Sequence, residues 1–210
     1  MNASEIKNFG LKLKRRAECN KYDFGHILVI AGSKNMVGAG VLCANAVMRC
    51  GAGLVTYACG ENFLAQAASM SKPESMFFSY RNSEDVINFV KTRKVSAAVI
   101  GPGLQISRGL KGFINKIISS IDIAVVLDAS ALSAYSSGKV SELKSAKAKL
   151  ILTPHLGEFA KLQSIDKDAV KTIKNRIDCV KNFSKRNSLI CLLKGRNTIV
   201  SDGNKVYVNG

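Results

Sequence analysis

Short apolar runs and longer stretches of helical spacing take turns along this chain, and that alternation is its first legible feature. His26–Gly32, HILVIAG, is an apolar run of strand length, and Gly38–Gly53 is a small-residue stretch of helical spacing that ends in glycines. The same periodicities predict strands at Leu54–Cys59, Ser75–Tyr80, Ser96–Gly103, Ile123–Asp128, Leu150–Pro154 and Leu189–Lys194. Helices are predicted at Glu61–Met70, at Ser83–Arg93 with Ser83 as its cap, from Leu110 to Ile121, around Ala131–Ser136, from Gly157 to Leu162 and over Asp168–Arg186. Thr198–Asn209 reads as a hairpin around Asp202-Gly203-Asn204. Strands rich in Val, Ile and Leu, alternating with helices, predict a mainly parallel sheet buried on both faces in an α/β protein. No linker and no internal repeat interrupts residues 1–210, which read as one domain.

Composition adds limits. The chain holds 31 Lys and Arg against 15 Asp and Glu, a formal charge of +16. The one dense basic cluster is Lys12–Arg16, and no zinc finger, basic helix or aromatic-basic signature accompanies it. Nucleic acid is therefore not the expected partner, and attraction for polyphosphate ligands is the simpler account of the charge. No apolar run approaches the ~20 residues that span a bilayer. The first residues lack the apolar core of a secretory signal, so a cytoplasmic protein is expected. The six cysteines form no CxxC pair, and Cys43, Cys50 and Cys191 sit in apolar segments, as buried free thiols would.

In an open α/β sheet, ligands bind beyond the carboxyl ends of the strands. Five strand exits carry the residues to read: AGSKNMVGAG, GPGLQ, LDASAL, TPHLGEF and LKGRNT. Each alone is an ordinary turn, but all five lie at one edge of one sheet. Neither GxxxxGK[ST] nor GxGxxG is present, which argues against a Walker-type ATPase and a Rossmann dehydrogenase. The amides of GSKNMVGAG precede a helix and can hold an anion. His155 is one of two histidines and follows Pro154 at the mouth of this edge, where a ligand contact is expected. Glu158 either caps the helix after it or faces the site. Asp128 either binds a ligand or caps the helix at Ser130–Ala131. Lys194 with Gly195, Arg196, Asn197 and Thr198 offers a cation, free amides and a hydroxyl, a set suited to a nucleotide phosphate.

These stretches in this order resemble the ADP- or ATP-dependent NAD(P)H-hydrate dehydratases, the YjeF C-terminal type of the ribokinase-like superfamily. The resemblance rests on Lys21–Ala58, KPESM, AAVIGPGL, VVLDASAL, ILTPHLGEFAKL and LLKGRNTIVSDGNKVYVN, nearly the whole chain. It implies a three-layer ribokinase-like fold and a cofactor-repair hydro-lyase. That enzyme uses a nucleotide's phosphoryl group, with Mg²⁺, to dehydrate NADHX or NADPHX, ADP being favoured over ATP here. Carried over, Ala39, Gly103 and His155 would contact the hydrated cofactor, and Lys194 to Thr198 the adenine nucleotide. The resemblance also implies assembly of several copies.

Departures from the family pattern are Ser130 in place of a second acid, Gln105 in place of glycine and Leu156 in place of proline. The family pattern runs on into a glycine-rich segment whose amides form an anion hole and whose Asp is the base, whereas the sequence given stops at Gly210. The catalytic base is thus expected beyond Gly210, with Asp128 a weak substitute. A chain incomplete at its C-terminus is expected to expose an apolar sheet face and to lack activity alone. The alternatives are a ribokinase-like small-molecule kinase and a catalytically dead nucleotide-binding remnant.

Overall fold

A computed structural model describes residues 17–170 and 172–209. The Lys12–Arg16 cluster lies outside the described residues. A 3₁₀ turn at Lys21–Phe24 leads into β1 (His26–Ile30), α1 (Val37–Arg49), β2 (Leu54–Cys59), α2 (Glu61–Met70), β3 (Met76–Ser79) and α3 (Ser83–Thr92). Then come β4 (Ala97–Ile100), α4 (Leu110–Ser120), β5 (Ala124–Leu127), α5 (Ser130–Ser133), β6 (Lys149–Leu152) and α6 (Leu156–Gln163). α7 (Ile173–Asn187), β7 (Ile190–Leu193), β8 (Thr198–Ser201) and β9 (Val206–Asn209) complete the described chain. Every predicted strand is present, shortened where glycine, proline or threonine turns begin.

The strands form one nine-stranded sheet in the order β3-β2-β1-β4-β5-β6-β7-β8-β9. β1 to β7 run parallel, and β8 and β9 add an antiparallel hairpin. The hairpin turn holds because Asp202 Oδ1 accepts from the amides of Asn204 and Lys205 at 2.8 and 2.7 Å. The chain winds outward from β1 through β2 to β3, then returns to place β4 on the other side of β1. That reversal leaves a crevice at the carboxyl ends of β1 and β4.

Two helix layers flank the sheet. α1 and α2 cover β1 and β2 on one face, burying Val29, Val41, Tyr57 and Phe63. The larger core lies on the opposite face, where Ile114, Leu127, Phe159, Phe183 and their neighbours are buried under α4, α6 and α7.

Burial on both faces is corrected for β4 to β8. These strands alternate buried with half-buried or exposed positions, the period of a sheet covered on one side. In-register Val99, Val126, Ile151 and Ile190 form an apolar row on the α1 side, with Ile190 38% exposed. The reason is that α1 and α2 reach only the β1–β2 end of that face.

Three local expectations are also corrected. Asn82, not Ser83, caps α3: its Oδ1 accepts from the Asp85 amide at 3.1 Å, and Asp85 Oδ2 accepts from the Arg81 amide. The long helix expected from Asp168 begins at Ile173, because Thr172 caps it by accepting from the Asn175 amide at 3.2 Å. Cys50 is exposed in the turn after α1, whereas Cys59 and Cys191 are buried and all six cysteines are free.

Candidate active site

The crevice between β1 and β4 is shaped by close backbone approach. Gly32, just after β1, donates its amide to Pro102 O at 2.8 Å. Gly101 donates to Ile30 O at 3.1 Å. Gly103 has φ +70°, and a β-carbon there would fall 2.7 Å from Ala39 Cβ and 2.9 Å from Met36 O. The structure thus brings together Ala39 and Gly103, two residues that the resemblance implies as contacts of the hydrated cofactor. Gly101, at φ +130°, has no room for a side chain against the carbonyl oxygen of Asp128. α1 begins beside this contact without a side-chain cap on Met36, leaving its positive end facing the crevice.

The exits of β5, β6 and β7 carry the charged groups. Lys194 donates its amide to Pro154 O at 2.8 Å and forms a parallel bridge with His155, so Pro154 ties two strand exits together. Lys194 Nζ lies 2.9 Å from Asp128 Oδ1. Asp128 does not cap α5, whose N-cap Ala129 makes no side-chain cap bond. Ala129 sits at φ +51° and ψ −117°, a conformation that costs a non-glycine residue about 1–3 kcal/mol and clusters at functional sites. On the neighbouring helix α1, burial first and the Asp128 charge second push the Cys43 thiol up to about 11, so it stays neutral.

His155 and Glu158 form a capping box at the start of α6. Glu158 Oε2 accepts from the His155 amide at 2.8 Å, which is the capping role weighed for Glu158. His155 Nδ1 accepts from the amides of Gly157 and Glu158 at 3.0 and 3.3 Å. With that lone pair engaged, the proton of the neutral ring sits on Nε2. Nε2 lies 3.5 Å from Glu158 Oε2 on a side chain that is 62% exposed. His155 therefore offers the edge a hydrogen-bond donor rather than an acceptor.

The KGRNT turn is held by Thr198 Oγ1 donating to Gly195 O at 2.9 Å, with Gly195 at φ +155° and Asn197 at φ +58°. Lys194, Arg196 and Asn197 line a hollow of about 110 Å³ with Leu156 and Arg176. Arg176 donates from Nη1 to Arg196 O at 3.4 Å and from Nε to Val170 O at 3.1 Å. Sequence reasoning missed Arg176 because the contact joins a helix to a turn 20 residues away, and no local pattern reports it.

At one strand spacing per step of ~4.8 Å, the exits of β4 and β6 stand about 10 Å apart, so the edge runs from the Ala39–Gly103 contact through Asp128 to Lys194 and His155. A mainly parallel sheet with amide-rich and cationic strand exits at one edge defines an α/β protein of ribokinase-like architecture. Residues 27–210 match the family model Carb_kinase, NAD(P)H-hydrate dehydratase, and the chain belongs to that family. It is 33% identical over 199 residues to the bifunctional NAD(P)H-hydrate repair enzyme Nnr of Coxiella burnetii, covering 95% of this chain and 38% of that protein. It is 30% identical over 204 residues to the ADP-dependent (S)-NAD(P)H-hydrate dehydratase of Listeria monocytogenes, covering 93% of this chain and 67% of that one. Among solved structures, it resembles the Bacillus subtilis ADP/ATP-dependent NAD(P)H-hydrate dehydratase co-crystallised with ATP/Mg²⁺, with a TM-score of 0.74, 26% identity, and 93% of this chain and 67% of that one covered. The chain thus spans under two fifths of the Coxiella relative and two thirds of the other two.

Proposed function

We propose that this chain carries the substrate- and nucleotide-binding residues of an ADP- or ATP-dependent (S)-NAD(P)H-hydrate dehydratase, a hydro-lyase that returns NADHX or NADPHX to NADH or NADPH. The observation that carries the reading is the assembly of the predicted residues along one sheet edge, with Ala39 against Gly103 and His155 bridged to Lys194. In this reading Ala39 and Gly103 provide a flat, tight surface for the hydrated nicotinamide ring. His155 Nε2–H donates to the ring's amide or hydroxyl. Lys194, Gly195, Arg196, Asn197 and Thr198 receive the adenine nucleotide, whose phosphoryl group activates the ring hydroxyl for elimination.

Asp128 belongs to the edge as the partner of Lys194. Its Oδ1 is taken up by the Lys194 ammonium at 2.9 Å, so Asp128 is not assigned as the base. Mg²⁺ does not fit a cage of protein ligands here, since no group of three or more His, Cys, Asp or Glu among the described residues could hold a metal. Such an ion would travel with the nucleotide phosphates, as Mg²⁺ commonly does, and no step is assigned to it. The reading includes a single domain, a cytoplasmic setting and assembly of copies. No helix among the described residues is long and apolar enough to cross a membrane.

The test incubates the protein with NADHX or NADPHX, Mg²⁺ and either ADP or ATP. It follows the near-ultraviolet absorbance of the dihydronicotinamide and the conversion of the nucleotide. Recovery of NADH or NADPH dependent on nucleotide supports the reading. Phosphorylation of a hydroxymethyl-bearing vitamin instead would favour a small-molecule kinase. The fold alone is compatible with that, since a hydroxyethylthiazole kinase from Pyrococcus horikoshii matches with a TM-score of 0.56 at 15% identity. Dinucleotide and ADP binding without turnover would leave a binding-only remnant.

A further inference from the structure

The amino edge of the sheet, a strand length of roughly 15 Å from the carboxyl edge, holds a hollow of its own. His26, Leu54 and Met76 open β1, β2 and β3, and with Phe77 and Phe89 they line a space of about 170 Å³. None of these residues belongs to the carboxyl edge described above. A cavity of about 150 Å³ holds one benzene ring, so this hollow fits a single ring with a small substituent and is too small for a nucleotide.

The lining is neutral where it is buried and cationic where it is exposed. Leu54, Met76, Phe77 and Phe89 offer apolar and aromatic surface to a ring. The buried polar groups are engaged with one another: His26 Nδ1 donates to Arg93 O at 3.2 Å, and His26 Nε2 accepts from Thr56 Oγ1 at 2.8 Å. α3 ends at this hollow, and the carbonyls that would repel an anion there are taken. Thr92 Oγ1 donates to Asn88 O and Phe89 O, the Val95 amide to Val90 O, and His26 to Arg93 O. The charges of the lining are of one sign. Lys21 of the 3₁₀ turn and Arg93, just past α3, are exposed and line the hollow, and no Asp or Glu does. Among the described residues, no ion pair involves either cation. The carboxylate of Asp23, in the same turn as Lys21, is taken up by the Asn20 amide at 2.8 Å. A guanidinium beside an apolar ring-sized space suits a carboxylate, which its fork meets with two parallel hydrogen bonds.

We propose that this hollow is a second ligand site, separate from the carboxyl edge, for a small aromatic monocarboxylate whose ring lies among Leu54, Met76, Phe77 and Phe89 and whose carboxylate meets Arg93 and Lys21. The proposal does not depend on the dehydratase reading. Its test is calorimetric titration of the protein with benzoate as the probe, benzamide as the neutral counterpart and acetate as the ringless one. The titrations are repeated on Arg93→Ala, Arg93→Lys and Leu54→Phe variants. Benzoate is expected to bind at one site with a Kd below about 1 mM. Benzamide and acetate should bind at least about tenfold more weakly, since each lacks half of the contacts. Arg93→Ala should weaken benzoate about tenfold, the scale of one charge-assisted hydrogen bond, and Arg93→Lys should regain part of the loss. Leu54→Phe fills the ring space and should abolish binding. Arg93→Ala keeps the backbone carbonyl that holds His26 and alters an exposed side chain, so its melting temperature should match the parent's. Saturating benzoate should leave ADP and NADH affinities unchanged. A protein with no saturable benzoate binding overturns the proposal. Equal benzoate affinity in Arg93→Ala and the parent overturns it by removing the carboxylate from Arg93, and equal affinity for benzamide overturns it by making the charge irrelevant. Competition of benzoate with ADP or NADH overturns it by placing the probe at the carboxyl edge.

Discussion

The carboxyl edge of the sheet is built in two ways. At β1 and β4 it is made of backbone: Gly101, Gly103 and Ala39 contribute shape and no charge. At β5 to β7 it is made of side chains: Asp128, Lys194 and His155 are set by an ion pair, a bridge and a capping box. The first half suits a flat neutral ring, the second a polyanion. The difference should also divide the response to mutation, since the backbone half fails through folding and the side-chain half through binding.

The largest effect is expected in the backbone half. Gly101→Ala forces a β-carbon into the Asp128 carbonyl at a φ of +130°, and should cost about 3 kcal/mol, read as a drop in denaturation midpoint. Gly103→Ala meets Ala39 Cβ and Met36 O at 2.7 and 2.9 Å and should cost about 1–3 kcal/mol. Its stability loss should come with weaker NADH binding. A Gly103→Ala protein of parental stability that still binds NADH would erase the distinction between the halves.

In the side-chain half, Lys194→Ala should weaken ADP binding roughly tenfold. Its stability should change by under about 1 kcal/mol, because the Lys194 and Asp128 side chains are 42% and 29% exposed and solvent screens the pair. Asp128→Asn frees the Lys194 ammonium and should tighten ADP. Unchanged ADP affinity in both variants would mean that the turn reads nucleotide by its amides alone.

Much of this was legible in sequence, for physical reasons. A buried parallel sheet demands runs such as HILVI and LVTYAC, and the turns after them demand Gly and Pro, so element order and the five strand exits could be read locally. Pairings between distant exits could not be read from spacing. Asp128 was weighed as a cap, yet it reaches a lysine 66 residues away. Val and Ile on both sides of these strands read as burial on both faces, because composition does not report what lies above them; the expectation of an exposed apolar face came from the family resemblance instead.

His155 sharpens the comparison at smaller scale because it works in both currencies, fold and binding. His155→Ala removes the ring that accepts two α6 amides and should cost about 1 kcal/mol. His155→Asn restores a capping acceptor without the Nε2–H donor. It should therefore keep parental stability and still lose NADHX turnover or NADH affinity. If His155→Asn is fully active, the histidine is a cap and nothing more.

The smallest effect expected belongs to the opposite, amino edge of the sheet and serves as a control. His26 is buried, with Nδ1 3.2 Å from Arg93 O and Nε2 2.8 Å from Thr56 Oγ1. A carbonyl only accepts, so Nδ1 carries the proton and Nε2 accepts from the threonine hydroxyl. Burial, the largest influence, holds the ring below its ordinary value of 6.5, the Arg93 charge adding to it against the Arg93 carbonyl. The unfolded chain then binds more protons than the folded one between that ordinary value and the lowered one. His26 thus contributes stability that is fully present above 6.5 and is lost as pH falls through 6.5 toward the folded value. Denaturation midpoints measured across this window should fall with acid in the parent and fall less steeply in His26→Gln, with ADP and NADH affinities at neutral pH the same in both. An identical acid slope in the variant would place the titrating group elsewhere. A change in ligand affinity would show that the amino edge is coupled to the carboxyl edge through β1, and the two halves of the site could no longer be treated as independent of the sheet that carries them.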